Sequence, residues 1–105
     1  MRWDVFCRVV DNYGDIGVAW RLAAQLGEHG ESVRLWLDDA SALAWMAPAG
    51  ARGVTVQPWG GAAQVEPVEV VLETFGCGLP DAYAARLAAS PSTRTKRTRC
   101  RTAWP

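Results

Sequence analysis

The sequence holds no C-x-x-C pair. Cys7, Cys77 and Cys100 are odd in number and far apart, so neither a zinc site nor a disulfide framework is indicated. A reduced, cytoplasmic setting is expected. No apolar run approaches the roughly 20 residues that a membrane span needs, and no membrane partner is expected. The N-terminus carries Asp4 and no long apolar stretch, which argues against a signal peptide. The single histidine, His29, falls near the end of a predicted helix, where a cation is favoured. That is a solvated helix-end position rather than a ligand position, so no metal and no cofactor are expected. There is no internal repeat, and no complete G-x-G-x-x-G fingerprint of a dinucleotide-binding domain.

What is present amounts to one small domain. The chain has 105 residues and half are hydrophobic, enough for a core. The formal net charge of zero conceals two unequal parts. Residues 1–90 carry six arginines against eleven carboxylates, a balance of −5. Residues 91–105 carry four arginines and one lysine with no acid, a balance of +5. The body is acidic and the tail basic, and each is read separately.

Trp3 to Val10 reads as a strand covered on both faces, since Val5, Phe6, Cys7, Val9 and Val10 are apolar without alternation. Arg8 is the exception. Ile16, Ala19, Trp20, Ala23 and Leu26 recur at helical spacing, with Val18 and Leu22 widening the stripe. Gly27 and Gly30 are expected to end that helix. Ser32 to Leu37 is a second strand, which makes a βαβ unit with an expected right-handed crossover. A short helix over Ala40–Met46, capped by Asp39 or Ser41, follows. Then come a strand at Val54–Val56, a loop from Pro58 to Pro67, a strand at Val68–Leu72, and a helix over Ala82–Ala89 with Pro80 at its start.

From Ser90 the composition changes. Ser90 to Thr102 contains no large aliphatic residue and cannot bury enough surface to offset ordering entropy, so a disordered basic tail over 91–105 is expected. Such a tail could meet nucleic acid, but apart from Trp104 it has no interleaved aromatics. No nucleic-acid partner is expected.

The densest polar chemistry lies between the first strand and the first helix. Asp11-Asn12-Tyr13-Gly14-Asp15-Ile16-Gly17 places two carboxylates four residues apart and two glycines three apart. In open α/β sheets, ligands bind at the carboxyl ends of strands. Two readings stand side by side. Asp15 or Asp11 caps the helix while the glycines permit the turn. Alternatively the glycines let backbone N–H groups approach a phosphate or sugar, with one aspartate as general base. Asp38, Asp39 and Glu73 also fall at strand ends, with capping or burial weighed against ligand binding. Trp3, Trp20, Trp36, Trp45 and Trp59 read as core or rim.

The run Phe6 to Leu22, with Asp11-Asn12-Tyr13-Gly14-Asp15-Ile16-Gly17 as its specific part, resembles the bacterial protein-arginine rhamnosyltransferase family. Val33 to Asp39 and Val70 to Pro80 agree in order and spacing, so the resemblance spans about residues 3 to 89. It implies the N-terminal, acceptor-side part of a GT-B glycosyltransferase: an incomplete Rossmann-like domain over 1–90, with the nucleotide-sugar domain absent. It also implies an inverting transfer of rhamnose from dTDP-β-L-rhamnose to an arginine of elongation factor P. On that resemblance Asp15 is the base and Asp11 orients acceptor or sugar, while Asn12, Tyr13, Gly14 and Gly17 shape the pocket. The tail departs from the family and reads as a shifted frame in a GC-rich gene or as a damaged terminus, and the 105 residues alone are expected to be inactive. The alternative is a non-catalytic nucleotide-binding or protein-docking α/β module.

Overall fold

The computed structural model describes residues 1–8, 14–41, 43–74, 78–89 and 94–96. Its elements in chain order are β1 (Arg2–Cys7), α1 (Gly14–Glu28), β2 (Ser32–Leu37), α2 (Leu43–Met46), β3 (Val54–Pro58), a 3-10 helix (Trp59–Gln64), β4 (Val70–Glu73), α3 (Asp81–Ala88) and β5 (Arg94–Lys96). The strands form one sheet in the order β3-β2-β1-β4-β5, and every pairing is parallel.

Alternation along the strands divides the core into two layers. Val5 and Cys7 of β1, Val33, Leu35 and Leu37 of β2, and Leu72 of β4 pack with Ile16, Ala19 and Ala23 of α1 and Leu43 of α2. The residues between them face the other way. Phe6, Trp36 and Val71 pack with Ala62 of the 3-10 helix and Tyr83 of α3. The sheet is thus covered on both faces, which is why its central strands read as nearly continuous apolar runs. Each fully buried large side chain contributes about 1.5–3 kcal/mol of transfer free energy, and Phe6, Ile16, Leu35 and Tyr83 have no exposed surface.

Of the two glycines expected to end helix α1, Gly30 does so: the helix runs through Gly27 to Glu28, and Gly30 takes the left-handed conformation (φ 86°) just past its end. The Glu31 N–H bonds the Leu26 carbonyl at 3.0 Å and the Gly30 N–H bonds the Gly27 carbonyl at 3.1 Å, a Schellman-type closure. Gly27 serves a different purpose. A Cβ there would lie 1.9 Å from the Arg52 carbonyl oxygen, so the absent side chain lets the loop before β3 lie directly on the helix.

Strand β1 is described over Arg2–Cys7, and Val9 and Val10 of the expected strand lie outside the described residues. Two further expectations change. The segment after β3 is not a plain loop but the 3-10 helix, held to α3 by the Arg86 guanidinium, which donates to the Ala63 and Val65 carbonyls. Most directly, Arg94–Lys96 of the expected disordered tail forms β5 beside β4, with Val70 opposite Arg94 and Leu72 opposite Lys96. The composition argument weighed side-chain burial, whereas ladder hydrogen bonds come from the backbone and need no aliphatic side chain. The rest of 91–105 lies outside the described residues.

Candidate active site

Strand order fixes where a ligand crevice belongs. From β1 the chain winds outward through β2 to β3, then returns to the other side of β1 for β4. The carboxyl ends of β1 and β4 therefore flank the point where winding reverses, and open α/β sheets bind ligands in that crevice. The exits of the two strands are tied together. Thr74, buried after β4, donates to the Phe6 carbonyl through its N–H at 3.0 Å and its hydroxyl at 2.7 Å. Glu73 accepts the Gly78 N–H at 2.8 Å, closing the turn that follows, so it has a structural role at this edge.

The residues singled out by sequence fall at this edge by connectivity. Asp11, Asn12 and Tyr13 lie outside the described residues, and the chain carries them between Arg8 at the exit of β1 and Gly14 at the start of α1. Gly14 and Asp15 are the first two residues of α1. Asp15 thus occupies the first helical turn rather than the cap position. Gly17 sits against α2, where a Cβ would make an ordinary 3.5 Å contact with Met46 Cε. Asp39 accepts the Ser41 N–H at 2.9 Å; the Ser41 hydrogen bonds lower its pKa, the signature of a turn-forming carboxylate ahead of α2. Asp38 and His29 are exposed. Among the described residues, no group of three or more His, Cys, Asp or Glu could hold a metal ion.

A second feature of the edge is aromatic. Phe6 stacks on Trp36 (centroids 5.9 Å apart, 12° between planes) and meets Tyr83 at 4.8 Å and Trp59 at 5.4 Å edge-on. Outermost is Arg8, whose guanidinium carbon lies 5.4 Å from the centroid of the Trp59 ring. Trp36 is buried and Trp59 half-buried, as core and rim.

Beneath the aromatics lies a charge that sequence reasoning missed. Asp4 has no exposed surface. Its carboxylate accepts a fork from Arg34 (Nε to Oδ1 2.6 Å, Nη2 to Oδ2 2.7 Å), the Trp36 indole N–H at 3.1 Å, and the Tyr83 hydroxyl. Burial, and then the carboxylate beside it, push the Tyr83 phenol above its ordinary pKa. The available signal was register. Asp4 and Arg34 are each third in their strands and stand opposite one another, an acid and a base on one face of an otherwise apolar pair.

A concavity of about 340 Å³ opens at the opposite, amino-terminal edge, lined by Arg2, Trp3, Ser32, Arg34, Thr55 and neighbours. Its charges are already matched: Arg2 forks to Glu69 at 2.9–3.0 Å, and that hydrogen bond holds the Glu69 carboxyl down to about 2. It lies away from the strand exits.

A parallel sheet wound both ways from β1 defines a Rossmann-like α/β protein. Among the described residues, no helix is long and apolar enough to cross a membrane. Residues 3–97 match the family described as Elongation-Factor P (EF-P) rhamnosyltransferase EarP, and the chain belongs to that family. The match runs past residue 89 into the basic segment. A protein-arginine rhamnosyltransferase of Pseudomonas putida is 50% identical over 99 residues, covering 85% of this chain and 26% of the relative. One from Pseudomonas aeruginosa is 50% identical over 91 residues, 77% of this chain and 24% of the relative. A third, from Shewanella oneidensis, is 40% identical over 102 residues, 87% of this chain and 26% of the relative. The chain thus spans about a quarter of the length of the curated relatives it matches.

Proposed function

We propose that these residues form the acceptor-side part of an inverting GT-B glycosyltransferase that moves rhamnose from dTDP-β-L-rhamnose to an arginine of elongation factor P in the cytoplasm. The observation that carries the reading is positional: the Asp-Asn-Tyr-Gly-Asp-Ile-Gly run follows the central strand at the switch point, in a chain half identical to protein-arginine rhamnosyltransferases.

The chemistry asks for paired carboxylates. An arginine guanidinium is protonated at neutral pH and a poor nucleophile. A carboxylate can hold it by a charge-assisted fork, turn one nitrogen toward the anomeric carbon and take its proton as the bond forms. Inversion requires that the nitrogen attack from the face opposite the leaving nucleotide diphosphate, without a covalent intermediate. The acid–base geometry of inverting glycosidases follows the same logic. Asp15 is assigned as the base, as the resemblance implies. Asp11 orients the acceptor or the sugar. Asn12, Tyr13, Gly14 and Gly17 shape the sugar and phosphate pocket. No cofactor or metal is required, because positioning and proton transfer supply the steps.

In this reading most contacts to the nucleotide sugar come from the part of the relatives that these residues do not span. The 105 residues alone are then expected to transfer no rhamnose at a useful rate, since a base without a bound donor supplies no positioning. The test joins residues 1–97 to the remainder of the Pseudomonas putida relative and supplies dTDP-rhamnose and elongation factor P. The expected result is an acceptor heavier by one deoxyhexose, mapped to an arginine. Donor binding without any modified acceptor would instead favour a non-catalytic nucleotide-binding or docking module.

A further inference from the structure

Trp59 presents an aromatic face at the carboxyl edge, and that face already carries a guanidinium. The sheet register explains how Arg8 and Trp59 meet. Cys7 stands opposite Leu37, and Leu37 opposite Pro58, so Arg8 and Trp59 are each the next residue beyond the same row. Arg8 is exposed, and its guanidinium carbon is 5.4 Å from the ring centroid, within the roughly 6 Å at which a cation is drawn to an indole face.

The platform is packed from behind and its occupant is exposed. Trp59 meets Phe6 at 81°. Phe6 is fully buried between Trp36 and Tyr83, and both of those donate to the buried Asp4 carboxylate. The ring is therefore backed by a chain of packed aromatics ending in a satisfied buried charge. An exposed cation–π contact, by contrast, is weak enough for a second guanidinium to displace it.

We infer that the Trp59 face is a subsite for the arginine side chain of the acceptor protein, and that Arg8 occupies it as an internal placeholder until that arginine arrives. This rests on the acceptor reading above and deepens it. It assigns Trp59 to acceptor recognition, and it gives Arg8 a competitive role, opposite in sign to that of a binding residue.

The test uses the 105-residue chain and Nα-acetyl-arginine methylamide as probe, titrated while the backbone amide resonances of Gly60 and Gly61, present in every variant, are followed by NMR together with the Trp59 indole N–H where it exists. The indole resonance is assigned by its loss in Trp59→Phe. The expected result is saturable binding that tightens roughly two- to fivefold in Arg8→Ala, the fold-change equivalent of one exposed cation–π contact. Binding should weaken in Trp59→Phe, which keeps a smaller ring, and vanish in Trp59→Leu. Nα-acetyl-lysine methylamide should bind more weakly than the arginine probe, because an ammonium cannot stack. Unchanged or weaker binding in Arg8→Ala, or equal binding by wild type and Trp59→Leu, would overturn the inference. The readout involves no rhamnose, so guanidinium binding by a chain whose chimera fails to transfer sugar would refute the function and leave the subsite standing.

Discussion

Asp4 carries the highest stake of any single side chain in the described structure. It is wholly buried and ionically paired, and it accepts hydrogen bonds from β2 and α3 at once. Removing one member of a buried pair leaves the other charge uncompensated, at a cost of about 3–5 kcal/mol. Total stability of a small domain is only about 5–15 kcal/mol. Asp4→Ala is therefore expected to lose most of the folded population at moderate urea, measured by far-UV circular dichroism, whereas the exposed pair Arg2–Glu69 should contribute little.

Tyr83 supplies a pH test of the same cluster. Its pKa is raised above the ordinary value of 10 in the folded state. The neutral phenol's contribution is then whole below pH 10 and is lost as pH rises past it, because the unfolded chain releases a proton that the native state retains. Tyr83→Phe should lower stability at pH 7 by about 1–3 kcal/mol through the unpaired acceptor. The gap to wild type in thermal midpoint should narrow in scans above pH 10. A gap independent of pH would detach Tyr83 from Asp4.

At the scale of elements, α1 joins a legible pattern to an illegible contact. Its apolar stripe of Ile16, Ala19 and Ala23 faces the sheet as the 3.6-residue period predicts. The bounds of β2 follow from its run of Val33, Leu35, Trp36 and Leu37. Gly27 was misread because local signals cannot reveal what a distant loop will place on a helix. Helix propensity alone says Gly27→Ala should stabilise by roughly 1 kcal/mol. The clash with the Arg52 carbonyl says that it destabilises, typically by about 1–3 kcal/mol for overpacking. Urea midpoints decide between the two, and a destabilised variant is expected. The same limit explains β5 and the 3-10 helix: the first is recruited by the open edge of β4, the second by Arg86 of α3. Asp4 also escaped notice for this reason, since only strand register brings it opposite Arg34. The Asp11–Gly17 run stands out in the sequence because its polar residues are contiguous, and Asp11, Asn12 and Tyr13 lie outside the described residues.

For the molecule as a whole, strand order turns a string of residues into a location. Gly14 opens α1 after the central strand of a β3-β2-β1-β4-β5 sheet, and open α/β sheets bind ligands at the carboxyl ends of such strands. The chain belongs to the EF-P rhamnosyltransferase family, and the function proposed above takes Asp15, in the first turn of α1, as its base.

The most direct test of that claim is the rate of arginine modification by the chimera of residues 1–97 with the Pseudomonas putida relative, compared with its Asp15→Asn form. Intact acceptor mass gives the rate, and circular dichroism serves as the fold control. The amide keeps the shape and a hydrogen-bonding oxygen but cannot take the proton. Loss of a general base typically costs about 100- to 10,000-fold, so transfer should fall by that factor while the fold is unchanged. Asp15→Asn turning over within a few-fold of the intact chimera, at unchanged helix content, would contradict the account and leave Asp15 a first-turn carboxylate with a purely structural role.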